Sequence, residues 1–406
     1  MPSLRVETFP ELYDISNWKV KSEGNANIIL SFVGKKDKFM LLEVPTEFLK
    51  DLSKAIFSSR SYKRTHKDID LNQRYVILTL DVTTFISKTI TPILSVELKF
   101  QSCRFCMHKW LKFHEQLERF EKEKEAGGSS NSSGGDLSGY CPLDLFSLDE
   151  KRLRKAISEL LICPKNNLKL FIEGVNVPIE NNGSQEHLKR FFNINSSTNN
   201  NKDDEQKVKD LFIELLSNAI SKERVLFERI KLLQKSLDEF DIEGLYQFYL
   251  EHQTNLEPTL EEWNDIVRVY VNRSKKTELS VPSSIVDFTV EEVRQRIYEF
   301  LISTTFKDCS IIFTFRKSSN DNDSDDFVVE DKRIKKVSIL VDNNDNGNRI
   351  SSDESAFGNT YKNNQQQHQE CYYDFKVHVI DLDPKSIKTI PYYHQLDNKI
   401  FVIHFI

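Results

Sequence analysis

Two apolar runs near the end of the chain constrain its fold most. Residues 309–315 (CSIIFTF) and 374–381 (DFKVHVID) are rich in β-branched and aromatic residues and read as strands. Each is bounded by a carboxylate, Asp308 before the first and Asp381 at the end of the second. Between them lies a polar, acidic, Asn- and Gln-rich stretch, 318–371, whose composition predicts disorder. A carboxylate is costly to bury without a partner. If the two runs are antiparallel neighbours, the start of one lies beside the end of the other, and Asp308 and Asp381 converge. A metal ion and a phosphate are one reason for such a meeting. Two exposed strand ends would read the same.

The rest of the chain is an alternation of strand and helix signals. With 406 residues it has room for two or more domains, or one large α/β unit with insertions. Strands are predicted at 28–32, 74–81, 92–100 and 166–174. Helices are predicted at 42–57, with Pro45 near the start, at 103–125, 148–162 and 290–304, and along 207–250. Low-complexity breaks fall at 126–139 and 193–206, and no internal repeat is present.

Charge and cysteines exclude several classes. Lys+Arg number 56 against Asp+Glu 62, a net charge of −6, which gives no support for bulk nucleic-acid binding. An anionic ligand would have to be met by a local basic cluster. No stretch has the apolar length of a membrane span, and the N-terminus lacks a charged-then-apolar secretory pattern. Six scattered cysteines suit a reducing cytoplasm or nucleus. Cys103, Cys106 and His108 form a C-x-x-C with a nearby His. Cys141, Cys163, Cys309 and Cys371 supply no second pair, so zinc is not expected.

Several short segments carry candidate chemistry. Gly24, Asn25, Ala26 and Asn27 precede a strand; their backbone N–H groups could cradle phosphate, or simply turn a hairpin. Arg64 lies in the basic stretch 58–67, as a bidentate phosphate grip or as solvated surface. Glu97 and Lys99 are two apart on a strand, hence on one face. They suit a nucleotide contact or a surface pair. Phosphoryl transfer needs one group to accept the hydroxyl proton and one carboxylate to hold Mg²⁺, roles open to Asp308 and Asp381. Lys385, Lys388, Tyr392 and Tyr393 follow, where an anionic acceptor would want them.

Taken in order, EGNAN (23–27), SRSYKRTHKDID (59–70), VELK (96–99), CRFCMHKWLK (103–112), YCPLDLFS (140–147), NNLKLF (166–171), DIEGLY (241–246), KDCSII (307–312) and YDFKVHVIDLD…KSIK…YYHQLDNKI (373–400) resemble the inositol-pentakisphosphate 2-kinase family. The resemblance implies a two-lobed α/β (α+β) inositol phosphate kinase-like fold. Residues 1–95 would form an N-lobe. Residues 96–406 would form a C-lobe with disordered inserts at about 126–139, 193–206 and 318–371. It implies ATP and Mg²⁺ as cofactors and an inositol polyphosphate as the small-molecule partner, in a monomer of the cytoplasm or nucleus. Gly24 to Asn27 would cover the ATP phosphates and Asp81 would lie at the adenine. Glu97, Lys99 and Asn166 would contact the nucleotide. Arg64, Asn167, Lys169, Lys385 and Tyr393 would contact the inositide. Asp308 would be the general base and Asp381 the Mg²⁺ ligand.

The chain departs from the family at two places. Leu42 runs at once into EVPTEFLK, so an N-lobe arginine that grips nucleotide has no counterpart. VELK runs straight into CRFCMH, without a second lysine. The N-lobe is therefore expected to be reduced. A catalytically impaired inositide-binding relative and a scaffold acting through its Asn-rich inserts stay open as alternatives.

Overall fold

A computed structural model describes residues 14–23, 28–32, 40–59, 68–79, 81–85, 92–99, 140–147, 149–164, 167–179, 183–194, 201–252, 257–273, 289–318, 333–342 and 368–405. At the N-terminal end, Trp18–Glu23 (β1) and Ile28–Phe32 (β2) pair antiparallel. Met40–Glu43 (β3) and Tyr75–Leu78 (β4) form a second two-stranded ribbon. Thr46–Ile56 (α1) begins directly after Pro45, whose fixed φ suits the turn into a helix. Its buried Phe48, Leu49, Leu52 and Ile56 form one stripe and pack on Trp18, Leu30 and Val76, making a small core of its own.

Ile93–Lys99 (β5) is the first strand of the main sheet. It is followed by Pro142–Leu145 (α2), Glu150–Ile162 (α3), Leu168–Ile172 (β6) and Val175–Val177 (β7). The β6–β7 turn places Glu173 at φ 50° and Gly174 at φ 79°, the left-handed pair that suits a tight hairpin. Then come helices Gln185–Phe192 (α4), Asn201–Lys222 (α5), Arg224–Ser236 (α6), Asp241–His252 (α7), Leu260–Arg273 (α8) and Val290–Asp308 (α9). Strands Ser310–Lys317 (β8), Lys335–Asp342 (β9) and His368–Ile380 (β10) complete the sheet, and Ile390–Phe405 (α10) closes the chain. The strand order is β7-β6-β5-β8-β10-β9, with every neighbouring pair antiparallel. This is a mixed α/β fold.

Period-two alternation gives the sheet two unlike faces. Leu94, Val96 and Leu98 of β5, Ile311, Phe313 and Phe315 of β8, and Tyr373 and Phe375 of β10 point to one side. They share a core with Leu145, Leu153, Ile157, Phe191, Phe212 and Phe227 from α2 to α6. Rings meet across that seam, with Phe227 and Phe375 at 6.1 and 6.3 Å from Phe313. The alternate residues, Ser95, Glu97 and Lys99, Ser310, Thr314 and Arg316, and Asp374, Lys376 and His378, share the opposite face by register. A second core joins α7, α9 and α10 through Leu245, Phe248, Ile297, Leu301 and Ile390.

Several expectations are corrected. Residues 335–342 and 368–371, assigned to a disordered insert, form β9 and the start of β10; β9 pairs with the first half of β10 and buries Val337 and Ile339. Residues 201–206, assigned to another insert, are the first turns of α5. Helix α9 runs to 308 rather than 304, so Asp308 ends a helix instead of opening a strand. The boundary drawn at residue 95 falls inside β5. Helices α2, α4, α8 and α10 were not foreseen. The helix expected at 103–125, the C-x-x-C cysteines and the loop 126–139 lie outside the described residues. No helix among the described residues is long and apolar enough to cross a membrane.

Candidate active site

The β8–β10 register brings Asp308 and Asp381 to the same end of the sheet. Ile380 pairs with Ser310, so β10 ends where β8 begins. Asp308 lies two residues before that pair and Asp381 one residue after it. Asp381 adopts φ 60°, a left-handed conformation that Asp tolerates better than most side chains. On the other side of β8, Lys99 pairs with Ser310. Its Nζ lies 3.6 Å from Asp308 Oδ1, while Lys385 Nζ donates to Asp308 Oδ2 at 2.6 Å. The Asp308 side chain is 49% exposed, so this doubly flanked carboxylate stays open to a ligand.

A more deeply buried pair lies beside it. Glu97, 5% exposed, accepts from Lys169 Nζ at 3.0 and 3.1 Å, one contact to each oxygen. The two residues are directly opposed on β5 and β6, and the ammonium offsets what burying the carboxylate alone would cost. Ser310 Oγ lies 3.0 Å from Glu97 Oε1 and 3.3 Å from Asp381 Oδ2. Asn167, buried at the same end, accepts the Lys99 backbone N–H at 3.0 Å.

The loop after β10 is fastened from two directions. The Lys385 N–H donates to Thr305 Oγ1 of α9 at 3.2 Å. Glu257, before α8, accepts the Ile387 N–H at 3.1 Å and the Ser386 hydroxyl. Burial works against the Lys385 charge, but the hydrogen bond and charge of Asp308 outweigh it and hold the ammonium above its ordinary value. Burial pushes the Tyr393 hydroxyl up, against the pull of the Lys385 charge; its ring lies edge-on to Phe300 at 6.3 Å. Burial, with the negative charges of Asp308 and Asp381, pushes the Cys309 thiol up to about 12.

Asp81 is used differently. Its Oδ1 accepts from the Thr83 N–H at 2.9 Å and the Thr83 hydroxyl at 2.6 Å, tightening a turn. The segment 81–85 is fastened to the sheet's polar face. Thr314 donates to Val82 O at 2.6 Å, Ser95 to Thr83 O at 2.8 Å and Lys376 to Thr84 O at 2.6 Å. Phe85 has the Arg316 guanidinium and the Lys376 ammonium at 4.6 and 5.0 Å from its ring. Ser95 is two residues, about 7 Å, along β5 from Glu97. Gly174 packs closely there: a Cβ on it would meet Thr84 Cγ2 at 3.0 Å.

Asp308, Asp381, Glu97, Lys99, Asn167, Lys169 and Lys385 thus share one end of the polar face. Tyr393 lies near Lys385, and Asp81 lies further along the sheet. Gly24, Asn25, Ala26, Asn27, Arg64 and Asn166 lie outside the described residues. Ser310, Thr305 and the Arg316–Lys376 clamp were not anticipated. Polar residues at 310, 314 and 316 in an apolar strand were the available signal. Among the described residues no group of three or more His, Cys, Asp or Glu converges on a metal. Mg²⁺ is ordinarily held by one or two carboxylates with waters and phosphates completing its shell. The exposed Asp381, with the Ser310 hydroxyl beside it, fits that mode.

A protein-family sequence model described as inositol-pentakisphosphate 2-kinase matches residues 36–399. Relatives carry the same name. One from Oryza sativa subsp. indica is 29% identical over 75% of this chain and 54% of its own length. One from Danio rerio is 23% identical over 75% of this chain and 62% of its own length. One from Arabidopsis thaliana is 26% identical over 92% of this chain and 74% of its own length. The chain thus spans about half the length of the rice relative. The match takes in every strand of the main sheet and both flanking carboxylates, and the chain belongs to the inositol-pentakisphosphate 2-kinase family.

Proposed function

We propose that the chain transfers the γ-phosphoryl group of ATP to the 2-hydroxyl of inositol 1,3,4,5,6-pentakisphosphate, giving inositol hexakisphosphate. The observation that carries this reading is the open Asp308 carboxylate, flanked by the ammonium groups of Lys99 and Lys385 at 3.6 and 2.6 Å. A sugar-like hydroxyl is a weak nucleophile, and a positioned carboxylate helps by taking its proton as the bond to phosphorus forms. Lys99 and Lys385 put positive charge at the two oxygens of the Asp308 carboxylate, which would draw substrate phosphates towards it. A substrate with five phosphates needs basic groups converging from separate segments, and these two come from β5 and from the loop after β10. Asp381 would hold Mg²⁺, which when bound offsets charge on the transferring phosphoryl group.

The test uses the purified chain with Mg²⁺, ATP and inositol pentakisphosphate, and separates products by anion exchange. Inositol hexakisphosphate is expected. A folded sample that forms none sinks the kinase reading for this chain and leaves an inositide-binding relative.

A further inference from the structure

Ser310 belongs to no role assigned so far, yet it touches both the buried and the exposed carboxylate of the site. Its side chain is fully buried at the first position of β8. Its Oγ is 3.0 Å from Glu97 Oε1 and 3.3 Å from Asp381 Oδ2. A hydroxyl carries one proton, and an ionised carboxylate only accepts. At any moment one contact is a hydrogen bond and the other sets a lone pair against a carboxylate oxygen.

The two carboxylates are not equivalent. Glu97 already has the Lys169 ammonium on both oxygens. Among the described residues, Ser310 is the sole hydrogen-bonding partner of the exposed Asp381 carboxylate. We infer that Ser310 is a positioning residue that couples the Glu97–Lys169 pair to cation binding at Asp381. This inference rests on the reading of Asp381 as the Mg²⁺-holding residue. With no cation present, the Ser310 proton serves Asp381. When a cation covers the Asp381 charge, the proton turns to Glu97, and the serine lone pairs no longer oppose a bare carboxylate. The hydroxyl fixes the Asp381 oxygen while the site is empty, so a cation meets a carboxylate already in place. No proton leaves the pair, and no bond other than hydrogen bonds changes.

The probe is Mn²⁺ alone, titrated into the full chain, the free ion being counted by electron paramagnetic resonance. Asp381→Asn is expected to abolish Mn²⁺ binding. Ser310→Ala is expected to weaken it about tenfold, the scale on which partners of metal-holding groups act. Ser310→Thr keeps the hydroxyl and is expected to stay near wild type. Ser310→Cys fills the site with a weak donor in place of the hydroxyl, and is expected to follow alanine. Wild-type Mn²⁺ affinity in Ser310→Ala, with binding still lost in Asp381→Asn, overturns the coupling and leaves the kinase reading standing. Full recovery by cysteine overturns it too, because packing would then suffice. Unchanged binding in Asp381→Asn removes the cation from Asp381 and takes the inference with it. Product formation by the wild type then decides separately whether the kinase reading survives.

Discussion

The two faces of the main sheet are built from the same strands and do opposite things. On β8, Ile311, Phe313 and Phe315 are fully buried among helices, while Ser310, Thr314 and Arg316 hold charged and hydrogen-bonded partners. On β5, Leu94, Val96 and Leu98 alternate with Ser95, Glu97 and Lys99 in the same way. One residue of register separates the groups that hold the fold from those that offer chemistry. A slip by one would exchange them, so the apolar face fixes where the carboxylates stand. The polar face is expected to add less stability than the apolar one, because the cost of taking Glu97 out of water offsets much of what its Lys169 and Ser310 contacts return.

The comparison is broken most sharply at Asp308. Asp308→Asn is expected to lower turnover by about three orders of magnitude, within the usual range for a lost general base. Thermal stability and inositide binding should be largely kept. Loss of binding together with turnover would give the residue a structural role and blur the division between faces. The mirror experiment is Phe313→Ala. A buried phenylalanine truncated in a packed core costs about 3–5 kcal/mol, so the urea midpoint should fall steeply. Turnover per folded molecule should hold. A kcat loss without a stability loss would mean that the apolar face tunes the site directly.

Cys309 sits between the two regimes, fully buried yet next to both carboxylates. An ordinary thiol titrates near 9, and this one is pushed up to about 12. Between those values the unfolded chain gives up a proton that the folded chain retains. Stability is therefore unaffected below about pH 8 and falls as pH rises from about 9 towards 12. The limiting slope is about 1.4 kcal/mol per pH unit. Urea midpoints at pH 8 and pH 10 should diverge more for wild type than for Cys309→Ala. Equal slopes would mean that burial and the neighbouring carboxylates do not hold the thiol protonated.

The meeting of Asp308 and Asp381 was legible in the sequence because it needs only strand signals and an antiparallel pairing. The common face of Glu97 and Lys99 was legible for the same reason. The double contact of Ser310 was not, because residue type does not say where a hydroxyl points. The end of α9 was misread through its β-branched tail. Thr304 and Thr305 instead donate to the Phe300 and Leu301 carbonyls at 2.9 Å, which lets the helix carry them to Asp308. Strand β9 was hidden because a composition window averages its Val337, Ile339 and Val341 alternation with the polar residues around it.

That hidden strand yields the smallest expected effect. Being outermost in the strand order, β9 would leave a row of backbone groups unpaired. Helix α5 meets that row with one stripe of side chains. Glu214 accepts the Leu340 N–H at 3.1 Å, Asn218 donates to Ser338 O at 3.0 Å and Lys222 donates to Lys336 O. Four helical residues rise about 6 Å and two strand residues about 7 Å. The two repeats therefore stay in step over three contacts. Asn218→Ala should cost about 1 kcal/mol, the net worth of one hydrogen bond, with turnover unchanged. It should also raise the tendency of the protein to self-associate, measured by light scattering. A stability loss without added association would mean that Lys222 and Glu214 suffice to block the edge. The helix would then protect the sheet by charge and bulk rather than by matching its hydrogen bonds.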